Sequence, residues 1–406
     1  MKKKKLGMTG QIMIAMTLGI IAGVIFEGRI SGIKLVGDIF LRLIQMSIVL
    51  LVMGQIIEAV GGLNRKELSR RGLKTVSIFL GTSFLAALFG IFMGLILEPG
   101  HISNLEGLTA GVEIDTSSIG NLSDTILRFF SKNIIQSMAQ GDIAQVIIFS
   151  VLFGLAMSYV RVESNNNHIL EHVKVFNAII LKLVMLVMKM APLGIFSLIA
   201  ATIGKLGVGV IMPLMRYLGA YGLATAIYLT VFTVLVAIYC RVSVFHIIKG
   251  MFEMSIVALA TTSSAITLPT EMKDAKEKLG ISEQVSQFVL PLGMTLNSNG
   301  AAMHMAITVV TIAQIYGASY TTGQYLFIAA LSTLVSLSNA VVPGAGLVSM
   351  AIIIPQMGLP IEAIAIFAGV EWFVGMLRTI LNVDSDVYTA LIVAKSESEL
   401  DYSVYK

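Results

Sequence analysis

The chain is poor in what an aqueous protein needs. Only 13% of its 406 residues are charged, 28 Lys and Arg against 24 Asp and Glu, about half the usual fraction of a soluble domain. That scarcity excludes an ordinary water-soluble enzyme, and the apolar content excludes disorder. A single cysteine, Cys240, rules out an intrachain disulfide, and no Cys/His grouping has the spacing of a metal centre. Prolines number only 8, few enough to leave long spans whole. The net charge of +4 does not point to nucleic acid, because where the cations sit decides what they do. What is present is apolar: 56% hydrophobic residues and a mean hydropathy of +0.87. At roughly 20 apolar residues per crossing, that composition furnishes at most about eleven spans. The 37 Gly and 23 Met suit close helix contacts and adaptable packing. Composition therefore predicts an all-α polytopic membrane protein.

Apolar runs centre on 10–27, 37–62, 75–97, 142–160, 174–204 and 211–240, followed by longer and more polar runs at 246–280, 284–316, 324–358 and 360–394. The N-terminal MKKKK precedes an apolar stretch without a small-residue cleavage site, which reads as a first span with its basic end inside. With Lys2 to Lys5 cytoplasmic, the loop with Arg65, Lys66, Arg70, Arg71 and Lys74 is also inside. The region 98–142, with Glu98, Glu106, Glu113, Asp115, Asp124 and Asp142 against Arg128 and Lys132, is outside. Arg161, Lys174, Arg241 and Lys249 return to the inside, so the positive-inside rule holds along this stretch. Both termini are expected in the cytoplasm.

The last third breaks that alternation. Segment 246–280 begins near Lys249, ends at MKDAKEKLG, and carries ATTSSAITLP with Pro269 between them. A stretch that leaves and returns on one side reads as a re-entrant hairpin. Segment 324–358, with SLSNAVVPGAGL at its centre, repeats the design from the other face. Each is followed by a helix with a polar middle, so the two units form an inverted repeat. Unwound backbone is tolerated at membrane depth only where it lines a cavity, and these tips therefore predict a binding site.

At about 3.6 residues per turn, Glu371, Arg378, Asn382 and Asp386 fall on one stripe, with Gly375 opening a gap in it. An intramembrane Arg requires an anion. One reading is a structural Arg378–Asp386 pair. The other is an Arg that receives a substrate carboxylate while Asp386 holds a cation. Asp384 lies off the stripe, toward a helix neighbour or the cytoplasmic end. Ser263 and Ser264 mark one tip, where freed N–H groups and carbonyls suit a carboxylate and a cation. Pro343, Gly344 and Gly346 mark the other, where the backbone can approach a ligand. The run LNSNGAAM places Asn297 and Asn299 on a helix interrupted around Gly300, with hard oxygens suited to sodium. Thr82 and Ser83 are a weaker signal, more often helix back-bonding. His304, on nearly the face of Asn297, is either a packed, hydrogen-bonded residue or a proton carrier. Lys182 and Lys189 are expected to snorkel.

TTSSAITLP, LPLGMTLNSNGAA, VVPGAGL and RTILNVDSD, in that order, resemble the glutamate transporter family, the dicarboxylate/amino acid:cation symporters. The resemblance implies eight transmembrane helices plus two re-entrant hairpins, and a homotrimer in which a transport domain moves as an elevator against a scaffold. It assigns residues 1–74 and 142–210 to the scaffold. Residues 75–141 (span three and an external loop) and 211–406 go to the transport domain. By motif, Arg378 is similar to the Arg that holds a substrate side-chain carboxylate. Asn382 and the Ser264 backbone match groups on the main carboxylate, the Thr262 and Val342 carbonyls flank the amine, and Thr379 is a further contact. One sodium site would use Gly293, Asn297, Asn382 and Asp386. A second would use Thr295 with backbone at Ser336, Leu337 and Asn339, and a third Thr82, Ser83 and Asn299.

The departures shape the functional expectation. The family's NMDGT reads Asn297-Ser298-Asn299-Gly300-Ala301, so a sodium-binding Asp is Asn299, the organising Met is Ser298 and a Thr near the substrate is Ala301. The acid that receives the amino group falls at Gly375, while Glu371 one turn earlier keeps an acid. The expected function is uptake, across a cell (inner) membrane, of a small anion, a C4-type dicarboxylate ahead of aspartate or glutamate. Coupling would be to sodium, to protons (with Glu371 or His304 as carriers) or to both, without other cofactors. An intramembrane enzyme would need a nucleophile–base pair that is not recognisable. A channel is argued against by the Arg378 anion site, and a transport-incompetent sensor has only the eroded sodium residues in its favour.

Overall fold

The computed structural model describes residues 8–63, 70–101, 130–164, 167–206, 211–337, 345–367 and 370–405. Among these, every regular element is helical apart from a bridge between Ile281 and Leu400. In chain order the helices are α1 (Met8–Phe26), α2 (Lys34–Gly61), α3 (Arg70–Leu97), α4 (Ile134–Gln140), α5 (Ile143–Ser164) and α6 (His168–Met188). Then come α7 (Ala191–Leu206), α8 (Ile211–Cys240), α9 (Val244–Thr261), α10 (Ser264–Glu277) and α11 (Glu283–Leu296). The last are α12 (Asn299–Ile315), α13 (Thr322–Ser336), α14 (Ala345–Gln356) and α15 (Glu371–Ser396). Four stretches among the described residues are long and apolar enough to cross a membrane: Gly72–Leu97, Gln145–Ser164, Leu214–Cys240 and Val244–Thr261.

The helices pack as two groups. α1, α2, α5, α6 and α7 lie against one another, while α3 and α8 to α13, with α15, form the second group. In the first, a Cβ on Gly19 would come within 2.9 Å of the Phe196 carbonyl, and one on Gly23 within 2.8 Å of the Ala200 carbonyl. Small residues let α1 and α7 approach backbone to backbone, which strengthens dispersion where no hydrophobic effect separates helix from lipid. In the second, α12 is buried along nearly its whole length and forms the hub for α3, α13 and α15. The groups meet where α14 touches α2, α13 touches α5, and the turn Ile364–Phe367 touches α7.

Two expectations about helix breaks are corrected. Run 174–204 is two helices, α6 and α7, and Lys189 is the C-cap of α6 rather than a mid-span residue. A cation there complements the helix C-terminus; Lys182 is exposed, as a snorkelling residue should be. In 246–280 the break falls at the expected tip, and α10 runs on through Pro269. The break lies at Thr262, a non-glycine residue in the left-handed region (φ 51°), and at extended Ser263. Ser263 then caps α10, its hydroxyl accepting from Ile266 N at 3.4 Å, as an N-cap serine does. In 284–316 the interruption is Asn297–Ser298, upstream of Gly300, which sits inside the first turn of α12.

Candidate functional site

α9 and α10 fold back on each other and bring the Thr262–Ser263–Ser264 tip toward α15, against which both helices pack. Ser263 and Ser264 are buried. α14 begins at Ala345, after residues 338–344. Asn339, Val342, Pro343 and Gly344 therefore lie outside the described residues.

On α15 the expected stripe is buried: Glu371, Arg378, Thr379, Asn382 and Asp386 are all shielded. Arg378 does not pair with Asp386. Its Nη1 donates to Glu371 Oε1 at 2.9 Å, and the same oxygen accepts from Gly346 N at 3.1 Å. Helical side chains tilt toward the N-terminus, so Arg378 reaches back two turns rather than forward. A Cβ on Gly346 would overlap both charged groups, which is why α14 carries glycine there. The flank at Gly375 is open instead, since a Cβ would meet only Arg378 Nη2 at 3.7 Å. Thr379 bonds back to the Gly375 carbonyl at 2.8 Å.

Asn382 faces α12, its Oδ1 accepting from Gly300 N at 2.8 Å. Gly300 packs directly on the Arg378 backbone, where any Cβ would overlap the carbonyl oxygen. Ala301, beside it, is buried. Below, Asn297 Nδ2 donates to Asp386 Oδ1 at 2.7 Å, and Gly293 lies so close that a Cβ would stand 2.5 Å from that oxygen. Asn297 Oδ1 and Asp386 Oδ2 have no hydrogen-bond partner. Gly293, Asn297 and Asp386 thus converge, while Asn382 is engaged by Gly300.

The third predicted set also comes together. Thr82 and Ser83 on α3 donate to Asn299 Oδ1 at 3.3 and 2.7 Å, and Asn299 Nδ2 is left unpartnered. The second set is more dispersed. Thr295 is exposed and lines, with Leu337, a cleft of about 490 Å³ between α2, α6 and α11. Ser336 is buried and bonds its own helix.

His304 is buried beside Tyr221, ring centroids 5.8 Å apart, yet neither ring nitrogen has a partner. The helix break also separates it from Asn297, so the shared-face expectation fails. Asp384 sits where expected, accepting from Ser255 of α9 at 2.7 Å.

Sequence reasoning missed the tyrosines of α8. Tyr217 and Tyr221 are fully buried. Tyr217 bonds Thr308 at 2.8 Å, Tyr221 donates to the Gly300 carbonyl at 3.0 Å, and Tyr228 to the Thr82 carbonyl at 2.8 Å. Their i, i+4, i+11 spacing is a signal available in the sequence, since it places three hydroxyls on one helix face. These bonds brace α12 and α3 from outside the site.

The geometry combines a buried Arg378–Glu371 pair on α15 with oxygen-rich groupings around Asp386 and Asn299. Residues 8–396 match the sodium:dicarboxylate symporter family. The chain belongs to that family. It is 30% identical over 407 residues to a proton/sodium-glutamate symport protein of Bacillus subtilis (strain 168), covering 98% of this chain and 94% of that one. It is 31% identical over 424 residues to the proton/glutamate-aspartate symporter of Escherichia coli (strain K12), covering 99% and 95%. Against a C4-dicarboxylate transport protein of Anaeromyxobacter sp. (strain K) the identity is 28% over 402 residues, covering 96% and 90%.

Proposed function

We propose that this member of the sodium:dicarboxylate symporter family is a cation-coupled importer of a small dicarboxylate, with C4 diacids ahead of aspartate and glutamate. The observation that carries the reading is Arg378, a buried guanidinium on α15 whose open flank at Gly375 has no acid. A carboxylate arriving there is received in bidentate geometry, whereas an α-amino group would meet a cation. The Gly293–Asn297–Asp386 and Thr82–Ser83–Asn299 groupings support sodium as a coupling ion. The second of these lacks the carboxylate that would offset the ion's desolvation.

In this reading the chain is a multi-pass protein of the inner membrane, with cytoplasmic termini, eight spans and two re-entrant hairpins. The α1–α2–α5–α6–α7 group serves as a trimeric scaffold, and the remainder moves as an elevator. The second hairpin, not the first, makes the principal contacts with the scaffold. That leaves the α9–α10 hairpin free to open toward the cytoplasm.

Thermal stability of the purified protein across a ligand panel tests the function, because a ligand that binds the folded state raises the melting temperature. Succinate or malate is expected to stabilise, and to do so more than aspartate. Tight aspartate binding far above succinate would overturn the dicarboxylate preference.

Glu371 gives a separate test. It occupies the guanidinium that substrate must use, so binding requires that it be displaced or neutralised. Apparent substrate affinity is therefore expected to rise as pH falls. Glu371→Gln should tighten binding about tenfold, equal to ~1.4 kcal/mol, and flatten that pH response. Calorimetry at two pH values reads both, and an unchanged slope in the variant would remove Glu371 as a proton carrier.

A further inference from the structure

The second helix group buries more acid than the sites above use. The inward face of α10 is Ser264, Thr267, Glu271, Asp274 and Ala275. Asp274 is matched by Lys278, whose Nζ lies 2.8 Å from its Oδ1. Glu271 has no such match. It is wholly buried, neither of its carboxyl oxygens has a hydrogen-bond partner, and the charges that bear on it are those of Asp386 and Asp384, both acidic. Asp384 is engaged by Ser255. Asp386 gives Oδ1 to Asn297 and leaves Oδ2 open, and Asn297 leaves its own Oδ1 open. Asn297 and Asp386 are as deeply buried as Glu271. α10 packs on both α11 and α15, and those two pack on each other. Buried oxygens without donors thus sit on residues of three mutually packed elements, and Glu271 is close enough to Asp386 to feel its charge, with no basic group acting on it.

Neighbouring carboxylates withdrawn from water are relieved either by a proton on one of them or by a cation between them, and the open amide oxygen of Asn297 beside them suits a cation. We infer that Glu271 is a cation ligand. An alkali-metal ion of sodium's size is held by the Glu271 carboxylate together with Asp386 Oδ2 and Asn297 Oδ1. Carboxylate and amide oxygens are the donor set a hard cation takes. Among the described residues no three His, Cys, Asp or Glu side chains converge as a metal site, so the proposed set has two carboxylates and completes its shell with an amide oxygen.

Glu271 belongs to none of the three cation sets that the family resemblance implies. It supplies, on the α10 side of the bundle, the negative charge that Asn299 withholds on the α3 side. Its position has a mechanical consequence. The ion ties the first hairpin to α11 and α15, so the Ser263–Ser264 tip swings away only when the Glu271 contact is given up. Release of the ion and opening of the hairpin become one event.

This inference rests on the symporter reading only for what the ion is coupled to, because ion binding is measurable without substrate. The test is a sodium titration of the purified full-length protein, followed by melting temperature and by binding of radiolabelled sodium, for the wild type and Glu271→Gln. The Gln variant is expected to raise the half-saturating sodium concentration at least tenfold and to lower the sodium bound per chain. Glu271→Asp, which keeps the charge but withdraws it by one methylene, is expected to weaken binding less; it decides the matter if the Gln variant is not recovered folded. Sodium binding unchanged in the variants overturns the inference, as does an unchanged sodium titration accompanied by loss of proton uptake. A wild type that binds sodium through Glu271 yet is stabilised by no dicarboxylate or acidic amino acid would leave the inference standing and sink the symporter reading.

Discussion

Arg378→Ala is expected to weaken dicarboxylate binding at least a hundredfold and to abolish uptake at micromolar substrate. Hydrogen bonds to charged groups contribute ~1.5–3 kcal/mol each, and a bidentate contact makes two of them. The same substitution leaves Glu371, 7% exposed, as a buried carboxylate without its cation. Breaking such a pair costs ~3–5 kcal/mol, so the melting temperature should fall as well. The double variant Arg378→Ala/Glu371→Gln separates the two effects. It is expected to regain stability, because the orphaned charge is gone, while still failing to bind substrate. Arg378→Lys restores a charge but not the planar fork, and should recover only a small part of the affinity. Calorimetry and melting curves on the three variants read all of this. Substrate binding that survived in the double variant would place the anion receptor elsewhere.

Gly300→Ala has the second largest expected effect. The added Cβ would overlap the Arg378 carbonyl oxygen and stand 2.9 Å from the Arg378 Cα. Overpacking ordinarily costs ~1–3 kcal/mol because side chains give way. Here the obstacle is backbone, and α12 must move bodily away from α15. That displacement would strain the Gly300–Asn382 and Tyr221–Gly300 bonds. The variant is expected to melt well below the wild type and to lose uptake even where it reaches the membrane. Gly375→Ala is the matched control, since its Cβ would meet only an ordinary contact at 3.7 Å. Equal melting temperatures for the two variants would show that α12 and α15 do not touch so closely.

Parts of this arrangement were legible in the chain as written. The TTSSAITLP run announced a break in helical bonding, and the structure has one there, at Thr262–Ser263. The stripe from Glu371 to Asp386 was visible because helical periodicity is local. The partner of Arg378 is not decided by position along the stripe alone. Glu371 and Asp386 lie at similar separations on either side of it, and the choice falls to the tilt of Cα–Cβ bonds toward the helix N-terminus. Gly300 was noticed as a helix breaker, although its role is to admit a neighbouring backbone.

Class, the order of the segments and the break at Thr262–Ser263 follow from composition, periodicity and local turn chemistry, all of which act within a few residues of chain. Glu271 could not be read as unusual, because a glutamate in the segment ending MKDAKEKLG looks like one more solvated charge. Only packing against α11 and α15 strips its water and sets it among acids. Likewise the hydroxyls of Tyr217, Tyr221 and Tyr228 find Thr308, Gly300 and Thr82 across 91, 79 and 146 residues of sequence. Which groups are desolvated together, and which charge faces which, depends on contacts between distant helices, and those exist only once the chain has folded.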